Sequence, residues 1–146
     1  MNRNINFAIA SDHGGFELKN KIIDYLKSKN FEIKDFGTYD KSSCDYPYYA
    51  KQVANAVLSE EFKKGILVCG TGIGMQITAN RFKGIRAVCP NNCYCARMSV
   101  EHNNSNILCL GQRVLGEGLA VEILETWINS VFQGERHQKR IDMIDE

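Results

Sequence analysis

Two glycine-rich segments carry the residues best suited to chemistry. Residues 11–15 (SDHGG, the first loop) follow the apolar stretch 5–10, and residues 69–74 (CGTGIG, the glycine loop) begin where the apolar stretch 65–69 ends. Short apolar stretches of this kind predict buried strands, so both loops are expected at the carboxyl ends of strands. Alternate glycines let backbone N–H groups converge on one point, which suits an anion or a developing oxyanion.

The spacing of the glycines excludes two common phosphate-binding motifs. A dinucleotide fingerprint would need a glycine at Met75 or Ile77, and a Walker A loop needs Lys and Ser or Thr after its last glycine. From the glycines alone, a tight strand-to-helix turn is as good an interpretation as a ligand site. The chemistry of the loop therefore depends on its other residues.

Cys69 gives the glycine loop its chemistry. A buried strand cysteine most often serves as a small apolar residue. Cys69, however, occupies the last strand position, next to the glycines and the start of a helix, where backbone donors favour the thiolate. A thiolate acts as a general base or as a nucleophile, and the residues alone leave both roles open.

The histidines at positions 13, 102 and 137 are candidate acids, bases or phosphate ligands. His13 follows Asp12 in the first loop, and His102 stands in the polar run 101–106 before an apolar segment. A single histidine is more often a surface or hydrogen-bonded polar residue, so each is a weak candidate by itself. For His137, a solvated helix start is as good an interpretation as phosphate contact.

The formal net charge of +1 gives little support for nucleic-acid binding. Basic residues are dispersed along the chain except near its carboxyl end, where Arg136, Lys139 and Arg140 cluster. One phosphate group needs two or three cations, which this cluster supplies. The charge pattern therefore allows a small phosphorylated ligand and disfavours nucleic acid.

The six cysteines are interpreted as reduced thiols, because their spacing is irregular and a chain of 146 residues can bury a core without disulfides. Residues 1–7 hold one arginine and no long apolar region, and no apolar run approaches the roughly 20 residues of a membrane span. A cytoplasmic protein without membrane contact is expected. The group Cys89, Cys93 and Cys95 has neither zinc-site nor iron–sulfur spacing, so no metal is expected there.

Apolar segments alternate with helical patterns along the whole chain. Strands are predicted at 5–10, 31–36, 65–69, 86–89 and 107–110. Helices are predicted near 16–26, 47–59, 92–102 and 116–134, with one from the glycine loop to about 82 and a short last helix. Right-handed crossovers place helices on both faces of such a sheet. The prediction is one α/β domain over residues 1–146, a three-layer α/β/α Rossmann-like sandwich with a five-stranded parallel sheet, whose ligand lies at the carboxyl ends of the strands.

Taken together, several segments resemble the type B ribose-5-phosphate isomerases, and the match is collinear over nearly the whole chain. They are SDHGG at 11–15, DYP at 45–47, CGTGIG at 69–74, GIRA at 84–87, HN at 102–103, LGQR at 110–113 and GERH at 134–137. The wider family includes allose-6-phosphate and galactose-6-phosphate isomerases. The resemblance implies an aldose–ketose isomerase of a sugar phosphate that uses no metal or other cofactor.

The resemblance also implies roles for individual residues. Cys69 is the base, His102 is the acid that opens the sugar ring, and Asp12 and Thr71 assist proton transfer. The implied substrate contacts are Asp12, His13, Tyr46, Gly70, Thr71, Gly72, Ile73, Gly74, Asn103, Arg113, Arg136 and Arg140. Another branch of the family uses a glutamate just after the glycine loop, where this chain has Met75 and Gln76.

The predicted helix from about Asn92 to His102 runs back from the edge of the sheet at which Cys69 lies. At about 1.5 Å per residue, its end lies roughly 15 Å from that edge. One chain can hardly bring both side chains to one sugar. A homodimer with shared sites is therefore expected, as the resemblance also implies, with the C-terminal helices at the interface and a dimer of dimers as a larger alternative.

Other functions stay open from the sequence. Pocket depth decides between five- and six-carbon sugar phosphates, so allose 6-phosphate and galactose 6-phosphate are alternatives to ribose 5-phosphate. A cysteine hydrolase or acyltransferase would use Cys69 as nucleophile, His102 as base and the glycine loop as oxyanion hole. A sugar-phosphate-binding module would use the same loops for affinity alone.

Overall fold

A five-stranded parallel sheet lies between two layers of helices in the computed structural model, which describes residues 5–146. The strands are β1 Asn6–Ser11, β2 Glu32–Asp35, β3 Lys64–Cys69, β4 Ala87–Val88 and β5 Ile107–Gly111, in the order β2-β1-β3-β5-β4. The helices are α1 Phe16–Ser28, α2 Tyr46–Leu58, α3 Ile73–Ala79, α4 Cys93–Glu101, α5 Glu117–Asn129 and α6 Arg136–Asp142. The predicted α/β/α Rossmann-like sandwich is confirmed.

The expectations on export and membranes concern two parts of the chain. The first rests on residues 1–7 and falls mostly outside the described residues. For the second, no helix within residues 5–146 is long and apolar enough to cross a membrane. All six cysteines are free thiols in this structure.

The central strand β3 is buried on both faces, because successive side chains of a strand point to opposite sides of the sheet. Ile66 and Val68 pack in the core formed with α1, α4 and α5. Leu67 and Cys69 pack in the core formed with α2 and α3. A strand covered by helices on both faces needs an unbroken apolar run, which is what residues 65–69 provide.

The helices that follow two neighbouring strands leave toward opposite faces of the sheet. α1, after β1, packs on one face, and α3, after β3, packs on the other. Adjacent strands whose helices diverge in this way open a crevice at their carboxyl ends, where open α/β sheets bind ligands. Ser11 of β1 pairs with Val68 of β3, so the first loop and the glycine loop both begin at this crevice.

β4 has two residues, and α3 ends at Ala79 rather than near residue 82. Asn80 accepts the N–H of Ala87 at 2.8 Å and donates to its carbonyl at 2.9 Å. The N–H of Arg86 is accepted by the Asn106 side chain at 2.8 Å. The side-chain amides of Asn80 and Asn106 thus bond backbone groups at the start of β4. After Ala79, the N–H groups of Arg81 and Phe82 donate to carbonyls three residues back, which ends α3.

α5 ends at Asn129, whereas the sequence pattern predicts an end at Gly134. Ser130 adopts an extended backbone with ψ of 150°. The chain then passes the end of α4, where the N–H of Gln133 donates to the carbonyl of Glu101 at 3.0 Å. This path brings α6 next to the residues that follow α4.

Candidate active site

Cys69 ends β3 with 5% of its surface exposed. Gly72 reaches back over the strand end and donates its N–H to the Cys69 Sγ at 3.1 Å. The bond requires φ of +80° at Gly72, a left-handed conformation that glycine adopts without steric cost. A hydrogen bond donated to sulfur stabilises negative charge there, so the arrangement suits a thiolate.

Two side chains predicted to contact substrate lie directly on the glycine loop. A Cβ added to Gly74 would lie 2.8 Å from the ring of Tyr46. A Cβ added to Gly70 would lie 3.0 Å from the Arg113 guanidinium. Glycines at these positions therefore allow an aromatic ring and a cation to approach the loop backbone closely.

The N–H groups of the glycine loop divide into two sets. Gly72 bonds the Cys69 sulfur, and Ile73 donates to the Thr71 hydroxyl at 3.3 Å. These two donors are used within the loop. The candidates to hold an oxyanion are therefore the N–H groups of Gly70, Thr71 and Gly74, a narrower set than the sequence predicts.

The first loop lies against the glycine loop, since a Cβ on Gly14 would lie 3.2 Å from its backbone. Asp12 is buried, and its Oδ1 accepts the N–H of Gly14 at 2.9 Å. His13 accepts the N–H of Cys44 at Nδ1, at 3.2 Å, which leaves Nε2 as the nitrogen that can donate to a ligand. The residues gathered here form the Cys69 cluster: Asp12, His13, Tyr46, the glycine loop and Arg113.

The remaining predicted residues lie near the amino ends of the strands, opposite the crevice. His102 follows α4 and leads to Asn106, whose carbonyl accepts the N–H of Gly65, at the start of β3, at 2.9 Å. From Gly65 to Cys69 the strand rises roughly 13 Å, at about 3.3 Å per residue. His102 is thus followed closely by a residue bonded to the start of β3, whereas Cys69 lies at the end of that strand.

His102 lies against α6, where its ring stacks on His137 with centroids 4.3 Å apart and planes 12° from parallel. His137 is buried, and its Nε2 has no hydrogen-bond partner among the described residues. Burial, and then the charge of Arg136, lowers the pKa of His137, which favours the neutral ring. The residues gathered here form the His102 cluster: His102, Asn103, Arg136, His137 and Arg140.

Residues 7–144 match the family model described as Ribose/Galactose Isomerase. The chain belongs to this family. Ribose-5-phosphate isomerase B of Escherichia coli (strain K12) is 45% identical to it over 137 residues, which cover 94% of this chain and 92% of the relative.

Solved structures of the family share the fold. Clostridium thermocellum ribose-5-phosphate isomerase B matches with a TM-score of 0.96 and 50% identity, covering 97% of this chain and 95% of that one. The Mycoplasma genitalium ribose-5-phosphate isomerase B, solved with bound ribulose-5-phosphate, matches with a TM-score of 0.91 and 38% identity, covering 97% and 94%.

Several contacts in this isomerase-family site could not be found from the sequence. The N–H of Cys44 orients His13 through the backbone, which no side-chain pattern reveals. The burial and stacking of His137 depend on the path between α5 and α6. Arg86 donates from Nε to the carbonyl of Asn103 at 3.0 Å. The GIRA segment marks that arginine but gives no sign of its partner.

The three cysteines considered as metal ligands lie in different surroundings. Cys89 lies with its sulfur 3.6 Å from the carbonyl of Thr71, and burial raises the pKa of its thiol. Cys95 is exposed on α4. Within residues 5–146, no group of three or more His, Cys, Asp or Glu side chains is arranged to hold a metal ion. Metal independence stays a prediction for chelation to test.

Proposed function

We propose that the protein interconverts ribose 5-phosphate and ribulose 5-phosphate, with Cys69 as the base and no metal. The observation that carries the proposal is a buried thiol at the crevice of the sheet, bonded by the N–H of Gly72 at 3.1 Å, in a chain of the ribose/galactose isomerase family. The names of the Escherichia coli and Mycoplasma genitalium relatives, and the ribulose-5-phosphate bound in the latter, support the five-carbon substrate.

The reaction begins with a closed furanose ring. His102, assisted by Asp12, protonates the ring oxygen as the anomeric hydroxyl loses its proton, which frees the aldehyde. Arg136 and Arg140, with His13 and Arg113 nearby, hold the phosphate. This remote binding energy fixes carbon 2 against the thiolate. Asn103 and Tyr46 contact the rest of the sugar.

Cys69 then removes the proton from carbon 2, and the N–H groups of Gly70, Thr71 and Gly74 hold the negative charge that develops on oxygen 1. The Thr71 hydroxyl helps move a proton between oxygens 1 and 2. Cys69 returns its proton to carbon 1 and yields the ketose. A general base typically contributes about 10²- to 10⁴-fold and an oxyanion donor about 10²- to 10³-fold, so the reaction needs both.

We further propose that the active site forms between two copies of the chain. The Cys69 cluster contains the base without the ring-opening acid, and the His102 cluster contains the acid without the base. A two-fold dimer that lays the His102 cluster of one copy over the glycine loop of the other completes two equal sites. Ile73 and Ile77 on α3, 54% and 55% exposed, suit coverage by a second copy. A dimer of dimers stays the larger alternative, and it would contain four such sites.

We place the protein in the cytoplasm. The mechanism requires Cys69 as a free thiol, and all six cysteines are free in this structure. Glutathione and thioredoxin keep thiols reduced in the cytosol, whereas exported proteins meet oxidising conditions. A cytoplasmic location therefore supports the proposed chemistry.

Initial rates with ribose 5-phosphate, allose 6-phosphate and galactose 6-phosphate, measured side by side, test the substrate. We expect the highest kcat/KM for ribose 5-phosphate, with solvent deuterium entering carbon 2 of the aldose. A higher kcat/KM for a hexose phosphate would assign that sugar as the substrate and leave the proposed reaction type unchanged. An acyl-enzyme trapped on Cys69 from an ester substrate, without deuterium exchange into the sugar phosphates, would assign a hydrolase, and binding of a sugar phosphate without turnover would assign a binding module.

A further inference from the structure

We propose that Arg86 is a positioning residue for the ring-opening acid, and that it acts through the turn that carries His102 and Asn103. The inference rests on the proposed isomerase function. Arg86 stands directly before β4, and its Nε donates to the carbonyls of Asn103 and Asn104, each at 3.0 Å. The side chain therefore holds the two residues that follow His102.

These two carbonyls belong to the turn that follows α4, which ends at Glu101. After α4 the chain reverses at Asn104, which has φ of +47° and donates its N–H to the carbonyl of Val100 at 3.0 Å. Carbonyls in such a turn have no partner within the helix, and a cation beside them also interacts favourably with the negative end of the helix dipole. Arg86 supplies both the donor and the cation.

Arg86 is also linked to the helix that carries the phosphate-binding arginines. Its Nη1 donates to the carbonyl of Gly84 at 3.3 Å, and the N–H of Gly84 donates to the Asp145 carboxylate at 2.7 Å. Asp145 lies three residues after the end of α6. Burial lowers the pKa of Arg86, and the negative charge of Asp145 opposes that shift. One guanidinium thus joins the His102 turn to the end of α6.

The backbone of Arg86 is held independently of its side chain. Asn106 accepts the N–H of Arg86 and donates to the carbonyl of Gly84, both at 2.8 Å. Removing the guanidinium therefore leaves the strand start in place and frees the turn at Asn103. A lysine keeps the charge, but its ammonium lacks the planar fork that reaches three carbonyls in fixed directions.

The test compares the wild type with Arg86→Gln and Arg86→Lys on ribose 5-phosphate and on its 4-deoxy analogue. The analogue lacks the hydroxyl that closes the furanose ring, so it needs no ring-opening acid. We expect Arg86→Gln to lower kcat for ribose 5-phosphate about tenfold and for the analogue less than about twofold, because misplacing a catalytic group slows the step that uses it. The kcat of Arg86→Lys for ribose 5-phosphate should lie between those of the wild type and Arg86→Gln. Arg81→Gln, which changes an exposed arginine of the same segment, should leave both rates unchanged.

Equal losses on both compounds, or no loss on either, would overturn the inference. The affinity for a linear hydroxamate analogue of the enediolate gives a comparison without turnover. Arg86→Gln should bind this analogue within about twofold of the wild type. A loss of affinity equal to the loss of kcat would also overturn the inference. If Arg86→Gln shows no cooperative unfolding transition, Arg86→Lys is used in its place. The test is then the loss of kcat that this variant shows on ribose 5-phosphate compared with its loss on the analogue. A wild type that isomerises neither compound would overturn the proposed function instead.

Discussion

Gly72 donates its backbone N–H to the sulfur of Cys69 at 3.1 Å, so the conformation of the glycine loop directly sets the surroundings of the proposed base. The same glycine has φ of +80°, and a Cβ there would lie 2.6 Å from the sulfur of Cys89. A larger residue at this position would strain the backbone and displace a thiol. Of the two sulfur atoms beside Gly72, that of Cys69 accepts its N–H, which is the physical reason to assign the proton transfer to Cys69.

Replacing Cys69 by alanine should abolish isomerisation and leave the affinity for inorganic phosphate within a few-fold. The base acts in the transition state, whereas the phosphate of the proposed site is held by Arg136 and Arg140, with His13 and Arg113, and not by the thiol. Steady-state rates and phosphate inhibition constants measure the two effects. Residual activity above about a tenth of the wild type would contradict the assignment, given the usual contribution of a general base. Cys95→Ala, which removes an exposed thiol, should retain full activity.

Chelators should leave the activity unchanged. The proposed oxyanion ligands are backbone N–H groups, and an arrangement of this kind stabilises an enediolate without a Lewis acid. The measurement is the initial rate after dialysis against EDTA, compared with an undialysed sample. Activity lost to EDTA and restored by one divalent ion would contradict the prediction and make Cys89 and its neighbours candidates for a metal site.

Gly15→Ala should destabilise the fold, because a Cβ there would lie 2.5 Å from the backbone carbon and oxygen of Val68. Forcing extra volume into a packed position costs about 1–3 kcal/mol. Gly118→Ala is the matched control: nothing lies within 4 Å of its Cβ position, and it is in α5, where alanine is favoured over glycine by about 0.5–1 kcal/mol. Urea unfolding should show opposite signs for the two variants, and equal midpoints would refute the packing argument.

Residues 65–69 show why the sheet could be predicted from the sequence. A strand buried on both faces requires an unbroken apolar run, and the run ends at the residue that bears the thiol. The two hydrogen bonds between Asn80 and Ala87 could not be predicted in this way, because Ala87 belongs to another element. Local patterns report burial and turns, whereas contacts between distant segments require the fold.

The candidate site likewise has features that the sequence could predict and features that it could not. His13 and Cys69 were predictable neighbours, because two adjacent parallel strands end beside each other. The separation of His102 from Cys69 also follows from the length and direction of α4. The stacking of His102 on His137 does not, since it depends on the extended path after α5. Arg86 could be assigned no role for the same reason.

Lys64 should make the free energy of unfolding change with pH in the alkaline range. Burial lowers the pKa of Lys64 to about 8, although its ammonium lies 4.2 Å from the centre of the Trp127 ring. Between pH 8 and the unfolded value near 10.4, the unfolded chain binds a proton that the folded chain has released. Stability relative to Lys64→Met should therefore rise across this window and be constant below it.

Thermal unfolding of wild type and Lys64→Met, measured at intervals from pH 7 to 10, tests this prediction. We expect the difference in Tm to change in favour of the wild type above pH 8. If the plots of Tm against pH for the two proteins are parallel, the cation–π contact with Trp127 offsets the effect of burial on the pKa of Lys64. Such a contact favours the charged form of the ammonium.

Mixing two inactive variants should restore activity if the site is shared between subunits. Cys69→Ala lacks the base, and His102→Ala lacks the ring-opening acid. In a mixed dimer, one site contains both intact residues and the other contains neither. With random pairing about half of the dimers are mixed, so about a quarter of all sites should work. Co-refolding the variants in equal amounts and assaying ribose 5-phosphate turnover measures this fraction.

The experiment separates a shared site from one formed within a single chain. If each chain supplied its whole site, every site in the mixture would still lack Cys69 or His102, and the mixture would be as inactive as its parents. Subunit exchange must therefore be shown independently, by native mass spectrometry of differently tagged chains. An inactive mixture with proven exchange would contradict the shared site, and the roughly 13 Å rise of β3 would then have to be closed by a rearrangement within one chain. Recovery near a quarter of wild-type activity would instead place His102 of one copy over Cys69 of the other.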